Sequence, residues 1–175
     1  MRVDPASALR GDIAVPGDKS ISHRSLLLGA IADGESEIDG FGASQDTLST
    51  AAAVGALGAG VEVEGERVRV EGAGLRGLRE PAGPLDCGNA GTLMRLAPGI
   101  LAGQEGRFEL VGDESLSSRP MERIAEPLRA MGAGVVTTVG ADGIAGAVAD
   151  SSARPNSAIV PNRSATTGES AFRIA

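Results

Sequence analysis

Three stretches of the chain set cations at the start of a helical run, and together they point to anion chemistry. The first is Gly17-Asp18-Lys19-Ser20-Ile21-Ser22-His23-Arg24, ahead of the apolar run Ser25-Leu26-Leu27-Leu28-Gly29-Ala30-Ile31-Ala32. Ser20 is a serviceable N-cap, so a helix is expected to begin there. A helix N-terminus carries partial positive charge, which disfavours Lys19 and Arg24 unless an anion rests on the helix end between them. The second stretch is Gly88-Asn89-Ala90-Gly91-Thr92-Leu93-Met94-Arg95. Asn89 suits an N-cap, Gly91 lets a ligand approach the backbone, and Arg95 follows on the helix. The third is Ser117-Ser118-Arg119-Pro120-Met121-Glu122. Pro120 suits the first helical position, which leaves Arg119 at the cap. A solvated cation on an exposed turn would explain any one of these. Their recurrence favours cations converging on a shared anionic pocket.

Other chemistries fit less well. Gly17-Asp18-Lys19-Ser20 approaches a phosphate-binding loop, but Asp18 stands where that loop needs Gly before the Lys. His23 is the only histidine and Cys87 the only cysteine. That excludes a multi-histidine or cysteine-rich metal site and an internal disulfide, so no metal is expected. His23 reads as a residue on a helix flank, and Cys87 as a buried thiol that the adjacent Gly turn could make reactive. Asp46 and Asp113 could act as bases and are equally explained as cap or turn residues.

The elements that must position these residues follow from periodicity. Residues 11–15 alternate and read as a strand, and 20–32 as a helix with Arg24, Leu27, Leu28 and Ile31 on one stripe. That stripe would bring the Arg24 guanidinium to a cleft edge. A strand at 36–41, an Ala-rich helix at 46–57 and a hairpin of 61–64 with 67–71, apolar on one face, come next. A loop rich in Gly and Pro spans 72–84. The pattern then restarts with a short strand at 85–88, an apolar helix at 89–102 interrupted by Pro98, and a strand at 107–111. A loop at 115–118, a helix at 120–131 and a strand at 135–139 complete it.

Gly58-Ala59-Gly60-Val61 and Gly132-Ala133-Gly134-Val135 hold equivalent places 74 residues apart, which marks an internal repeat of α/β units. The units run over about 16–72 and 85–140 of a domain covering 1–140. One such unit cannot cover both faces of its sheet, so the units should pack against each other. Residues 141–175 are dominated by Ala, Ser, Gly, Thr, Arg and Pro, sustain neither period, and read as a poorly ordered or foreign tail.

Composition narrows the classes further. A net charge of −7 argues against a broad basic face for nucleic acid, and an acidic chain that groups its few cations suits a small anionic ligand. Hydrophobic residues make up 42% and aromatic residues 2%, so the core must rest on Leu, Val, Ile and Ala. No run is long enough to span a membrane, and the start of the sequence lacks a signal-peptide core, which leads to the expectation of a soluble cytoplasmic protein.

Three ordered motifs carry a family resemblance. Pro16-Gly17-Asp18-Lys19-Ser20-Ile21-Ser22-His23-Arg24, Asp86-Cys87-Gly88-Asn89-Ala90-Gly91-Thr92-Leu93-Met94-Arg95 and Gly112-Asp113-Glu114-Ser115-Leu116-Ser117-Ser118-Arg119-Pro120-Met121 closely resemble the 5-enolpyruvylshikimate-3-phosphate synthase family. The likeness covers about residues 7–139. It implies an enolpyruvyl transferase of the shikimate pathway to aromatic amino acids. The enolpyruvyl group of phosphoenolpyruvate would pass to the 5-hydroxyl of shikimate 3-phosphate, by addition then elimination, without cofactor. By match, Lys19 would be catalytic and touch both substrates, with Ser20 and Arg24 on shikimate 3-phosphate. Gly91 and Arg119 would bind phosphoenolpyruvate, in a subsite shaped by Asn89, Thr92 and Arg95. The herbicide glyphosate occupies that subsite in the family, and Ala at the position of Gly91 excludes it.

The resemblance also implies a fold, the inside-out α/β barrel of repeated α/β units. The family has two domains of three units each and is usually monomeric. Two of the expected six units are recognisable in this sequence. The third unit, with its Ser-Ala-Gln-Val-Lys-Ser-like motif, is replaced by the tail, and the second domain, with its acid/base groups, is missing. The chain therefore reads as an N-terminal part, inactive alone. Competing readings are a non-catalytic anion-binding fragment, a gene remnant that does not fold, and a relative of UDP-N-acetylglucosamine enolpyruvyl transferase, which shares the fold.

Overall fold

The computed structural model describes residue 8, residues 10–139, and short strand segments at 145–146, 148–150 and 171–174. The first expected unit comprises α1 (Lys19–Ala30), β1 (Asp33–Asp39), α2 (Gln45–Ala56), β2 (Gly60–Glu64) and β3 (Arg67–Ala73). The second comprises β4 (Leu85–Asp86), α3 (Gly91–Leu101), β5 (Arg107–Val111), α4 (Glu114–Ser117), α5 (Glu122–Ala130) and β6 (Val135–Val139).

In the first unit the strands form an antiparallel sheet of order β1-β3-β2. Gly65, at φ +62°, makes the tight turn between β2 and β3 that the alternating runs call for. Val68 and Val70 point inward and are fully buried, while Arg69 on the outer face lies within 3.7 Å of Glu35, Glu37 and Glu62. Ser44 and Thr47 cap α2 reciprocally, each side chain meeting the other's backbone N–H.

The buried face of α1 is not the expected stripe. Ser22, His23, Leu26, Leu27, Gly29 and Ala30 face inward, and Leu28 is 62% exposed. Leucines occupy several sides of this helix, so periodicity alone does not choose its face; close approach to β3 does. A β-carbon on Gly29 would lie 3.2 Å from Val70 Cβ, and one on Gly72 would lie 2.2 Å from the Ala32 carbonyl oxygen. The two glycines thus set the seat of α1 on the sheet. Arg24, one residue from His23, consequently points to solvent.

Residues 11–15 form no strand, and Ile13 and Val15 are 87% and 76% exposed. Alternation favours an extended chain, but a strand exists only with a ladder partner, and none of the described strands pairs with this run. The segment that follows is firmly seated all the same: a β-carbon on Gly17 would lie 2.0 Å from the Gly40 carbonyl oxygen.

In the second unit β4 runs parallel to β5, with Leu85 opposite Leu110. Helix α3 buries Leu93, Met94, Ala97 and Leu101, and Pro98 lies inside it without interrupting it. The 115–118 loop is a single helical turn, α4, and α5 starts two residues later than expected, at Glu122.

One apolar core runs through both units, from Leu26, Phe41 and Val54 to Leu93, Met94, Phe108 and Leu116. Helix α1 packs on α3, as two mutually covering units require. The buried Gln104 ties the loop after β3 to the end of α3, accepting from Leu78 N at 3.3 Å and donating to the Leu75 carbonyl at 3.0 Å. Within 141–175, β7 (Ala145–Gly146), β8 (Val148–Asp150) and β9 (Ala171–Ile174) are short strands, and β9 pairs with both β5 and β6. Strands of two to four residues are too short to show a period in sequence. The rest of the expected tail lies outside the described residues.

Candidate functional site

Strand pairing builds the site. Because β4 and β5 are parallel, the segments leaving their C-terminal ends emerge side by side, where open α/β sheets place ligands. Cys87 N donates to the Val111 carbonyl at 2.7 Å and Asp113 N to the Gly88 carbonyl at 2.8 Å, which carries the pairing into the loops. The Asp86 carboxylate accepts from Gly88 N at 2.8 Å and folds the turn back into α3.

Two of the three expected cationic helix starts merge here. Arg119 is not at the cap of α5; it follows α4, with its N–H on the Leu116 carbonyl at 3.0 Å. Its guanidinium crosses to the start of α3, where Nη2 donates to Asn89 Oδ1 at 2.9 Å. Asn89 does not cap α3. Residue Ala90 holds the cap position with no side-chain hydrogen bond, so the first turn of an 11-residue helix is left without a side-chain cap. A β-carbon on Gly91 would lie 2.7 Å from Arg119 Nη1. The room that Gly91 leaves is therefore taken by the guanidinium, which lies against the positive end of α3. Thr92 is half-buried beside Gly91, and Arg95 is exposed about one turn farther along α3.

The remaining helix start differs from expectation. Asp18, not Ser20, caps α1: its Oδ1 accepts from Ile21 N at 2.8 Å. The anion that should relieve the helix dipole is thus a side chain of the protein itself. Aspartate ranks with serine as an N-cap, so the signal was in the sequence two residues ahead of Ser20. Lys19 turns away to Asp46 on α2, with Nζ 2.8 Å from Oδ2 and its side chain 55% exposed. Arg24 folds back on its own helix, Nη1 donating to the Ser20 carbonyl at 3.0 Å.

Helix α2 bridges the two cationic regions. Asp46 holds Lys19, and one turn on, Ser49 Oγ would lie 3.5 Å from a β-carbon on Gly88, next to Asn89. Beneath the Lys19–Asp46 pair a second contact joins the same helices, His23 Nδ1 to Thr50 Oγ1 at 2.6 Å. His23 is not on a flank but fully buried, and its Nε2 has no partner. Burial lowers its pKa from the ordinary 6.5, against the opposing pull of Asp46 and with help from Lys19 and Arg24. Cys87 is fully buried, and burial pushes its thiol far up, which makes it inert.

Asp113 is expected from the sequence as either a base or a cap or turn residue. It does cap α4, its Oδ1 accepting from Leu116 N at 2.7 Å. It also shares one N–H of the Asn89 amide between its two oxygens, Nδ2 lying 3.0 Å from Oδ1 and 2.8 Å from Oδ2. The Leu116 N–H and then Asn89 hold its carboxyl below the ordinary value of 3.8. Among the described residues no three His, Cys, Asp or Glu side chains gather in a way that could hold a metal, and no helix is long and apolar enough to cross a membrane.

Comparison with known proteins supports the same corner of sequence space. The EPSP synthase family, 3-phosphoshikimate 1-carboxyvinyltransferase, matches residues 3–151. The chain is 59% identical over 132 residues to the 3-phosphoshikimate 1-carboxyvinyltransferase of Roseiflexus sp., covering 75% of this chain and 30% of the relative. It is 56% identical over 137 residues to that of Methylococcus capsulatus, covering 77% and 31%. A solved EPSP synthase from Acinetobacter baumannii is 47% identical and superposes with a TM-score of 0.71 over 77% of this chain and 30% of that one. The chain thus spans about a third of the length of the relatives it matches.

Proposed function

The chain belongs to the EPSP synthase family, and we propose that it supplies the cationic face on which phosphoenolpyruvate and shikimate 3-phosphate meet for transfer of the enolpyruvyl group to the 5-hydroxyl. The observation that carries this reading is the corner at the uncapped start of α3, where the Arg119 guanidinium lies against Gly91. Backbone N–H groups, helix dipole and guanidinium there all favour an anion. Both substrates bear phosphate and carboxylate groups.

In this reading Arg119 and Gly91 take phosphoenolpyruvate, with Asn89, Thr92 and Arg95 around them, and Ser20 and Arg24 take shikimate 3-phosphate. Lys19 reaches both. The hydroxyl oxygen gives up its proton and adds to C2 of phosphoenolpyruvate as C3 gains a proton; C3 then loses a proton as the C2–O bond to phosphate breaks, and the phosphate leaves with a proton. Arg119 and Lys19 stabilise negative charge on the departing phosphate, which is the largest service such groups give. Asp46 must share Lys19 with the substrates, and Arg24 must leave the Ser20 carbonyl to reach its ligand. The setting is cytoplasmic, with small-molecule partners and no cofactor. The shikimate name of the relatives favours this reaction over that of the UDP-N-acetylglucosamine enzyme.

In this 175-residue polypeptide Lys19, Arg24 and Arg95 are exposed and Arg119 is half-buried, and catalysis needs groups held on both sides of the substrate. Binding without turnover is therefore expected. Calorimetry should show shikimate 3-phosphate binding that Lys19→Met weakens by about tenfold or more, and a phosphate-release assay with both substrates should stay silent. A folded parent that binds neither substrate, or a Lys19→Met variant that binds like the parent, refutes the site. Phosphate release by this polypeptide would show that the face suffices for catalysis.

A further inference from the structure

Asp113 does not touch Arg119 directly, yet a hydrogen-bonded chain joins them. Resting on the reading of Arg119 as the phosphoenolpyruvate group, we propose that Asp113 is a positioning residue that acts through Asn89 to aim the Arg119 guanidinium. A carboxylate only accepts hydrogen bonds and a guanidinium only donates. The Asn89 amide between them therefore has one orientation that satisfies both, Nδ2 toward Asp113 and Oδ1 toward Arg119. The polarity of the chain is fixed by its two ends.

The arrangement does something a direct ion pair would not. A bidentate pair would cover one whole edge of the guanidinium and draw it onto the carboxylate. Through the amide, the protein spends Nη2 at 2.9 Å, and Nη1 lies beside Gly91 at the start of α3. Asp113 is itself immobilised from two directions. Leu116 N donates to its Oδ1 at 2.7 Å, and its own N–H donates to the Gly88 carbonyl at 2.8 Å, one residue from Asn89. The three residues form a closed frame between the loop after β4 and the loop after β5.

The competing account is that Asp113 only caps α4, and asparagine separates the two. Asparagine caps helices as well as aspartate does. In Asp113→Asn the oxygen can still accept from Leu116 N, but an NH2 replaces Oδ2, the nearer of the two atoms that Asn89 Nδ2 contacts, and only the 3.0 Å contact to the shared Oδ1 is left. Two NH2 groups then face each other. Flipping Asn89 moves the same conflict to Arg119. The chain of polarity is weakened at one joint or the other while the cap survives.

The test uses this 175-residue protein, Asp113→Asn, Asn89→Ala and the double variant, with phosphoenolpyruvate as the probe in calorimetry. Nitrogen-detected NMR of the Arg119 guanidinium follows its exchange and rotation without ligand. Asn89→Ala leaves the α4 cap untouched, so it serves even if Asp113→Asn fails to fold. Each single variant should loosen the guanidinium and weaken phosphoenolpyruvate, Asn89→Ala by about tenfold, and the double variant should be no worse than Asn89→Ala alone, because both changes act on one chain. An unchanged guanidinium signal in either folded single variant, or additive losses in the double, overturns the proposal. If the parent itself fails to bind phosphoenolpyruvate, the reading of the site falls, while the guanidinium signals still decide whether Asp113 positions Arg119.

Discussion

Replacing Gly91 by alanine adds one methyl group to the corner proposed for phosphoenolpyruvate, and the structure says what that methyl meets. Its carbon would lie 2.7 Å from Arg119 Nη1 and 3.5 Å from Leu116 Cδ1. An ordinary contact needs about 3.5 Å, so the guanidinium must withdraw by roughly 0.8 Å. That movement strains its bond to Asn89, now 2.9 Å, toward the limit of hydrogen bonding. Losing a charge-assisted bond in full costs about 1.5–3 kcal/mol; a partial withdrawal should weaken phosphoenolpyruvate about tenfold. Glyphosate, the longer molecule, should lose more than that, since it must fit beside the same methyl. Stability should not fall. Gly91 has no left-handed φ, and alanine is the better helix former. Binding of both ligands in the presence of shikimate 3-phosphate, measured by calorimetry beside thermal melting, checks each part. Unchanged affinities for both ligands would show that the guanidinium does not depend on the missing side chain, and a lowered melting temperature would leave Gly91 as a turn residue alone.

Two further expectations concern stability. His23 has a lowered pKa in the folded protein, so the unfolded chain binds the extra proton first; its stabilisation is complete above about pH 6.5 and is lost as pH falls from there toward the folded-state pKa. The urea midpoint should drop between roughly pH 7.5 and pH 5.5, less so in His23→Asn, and an equal drop in both would assign the effect elsewhere; Asp113 and Glu122, with lowered pKa values, act only nearer their ordinary 3.8 and 4.5. Gln104→Ala should destabilise the protein by about 1–3 kcal/mol, because the buried Leu78 N–H loses its acceptor; an unchanged midpoint in urea would mean that the loop after β3 does not depend on this tie.

The α/β class, the order of most elements and the three motifs that carry the family were legible in the sequence alone. Those properties live in local chemistry: alternation in β2 and β3, the glycines that stop α2 and α5, and runs of named residues that need no partner to be read. The sequence also placed Lys19 and Gly91 at helix starts, whereas Asn89 and Arg119, expected as caps, lie in the loops ahead of α3 and after α4. Which residues met across those starts was decided only in three dimensions. The parallel pairing of β4 with β5 brought Arg119 to Gly91 and merged two expected anion sites into one. A carboxylate next in sequence to Lys19 proved to cap α1, and another, on a different helix, proved to hold Lys19. Helix α1, with leucines on several sides, had its buried face chosen by the close seat of Gly29 and Gly72 on the sheet, which turned His23 inward and Arg24 out. Strand 11–15 had the right alternation but no ladder partner among the described strands. Propensity and period depend on neighbours in sequence; register, helix face and hydrogen-bond partners depend on neighbours in space, and the aim of Arg119 belongs to the second kind.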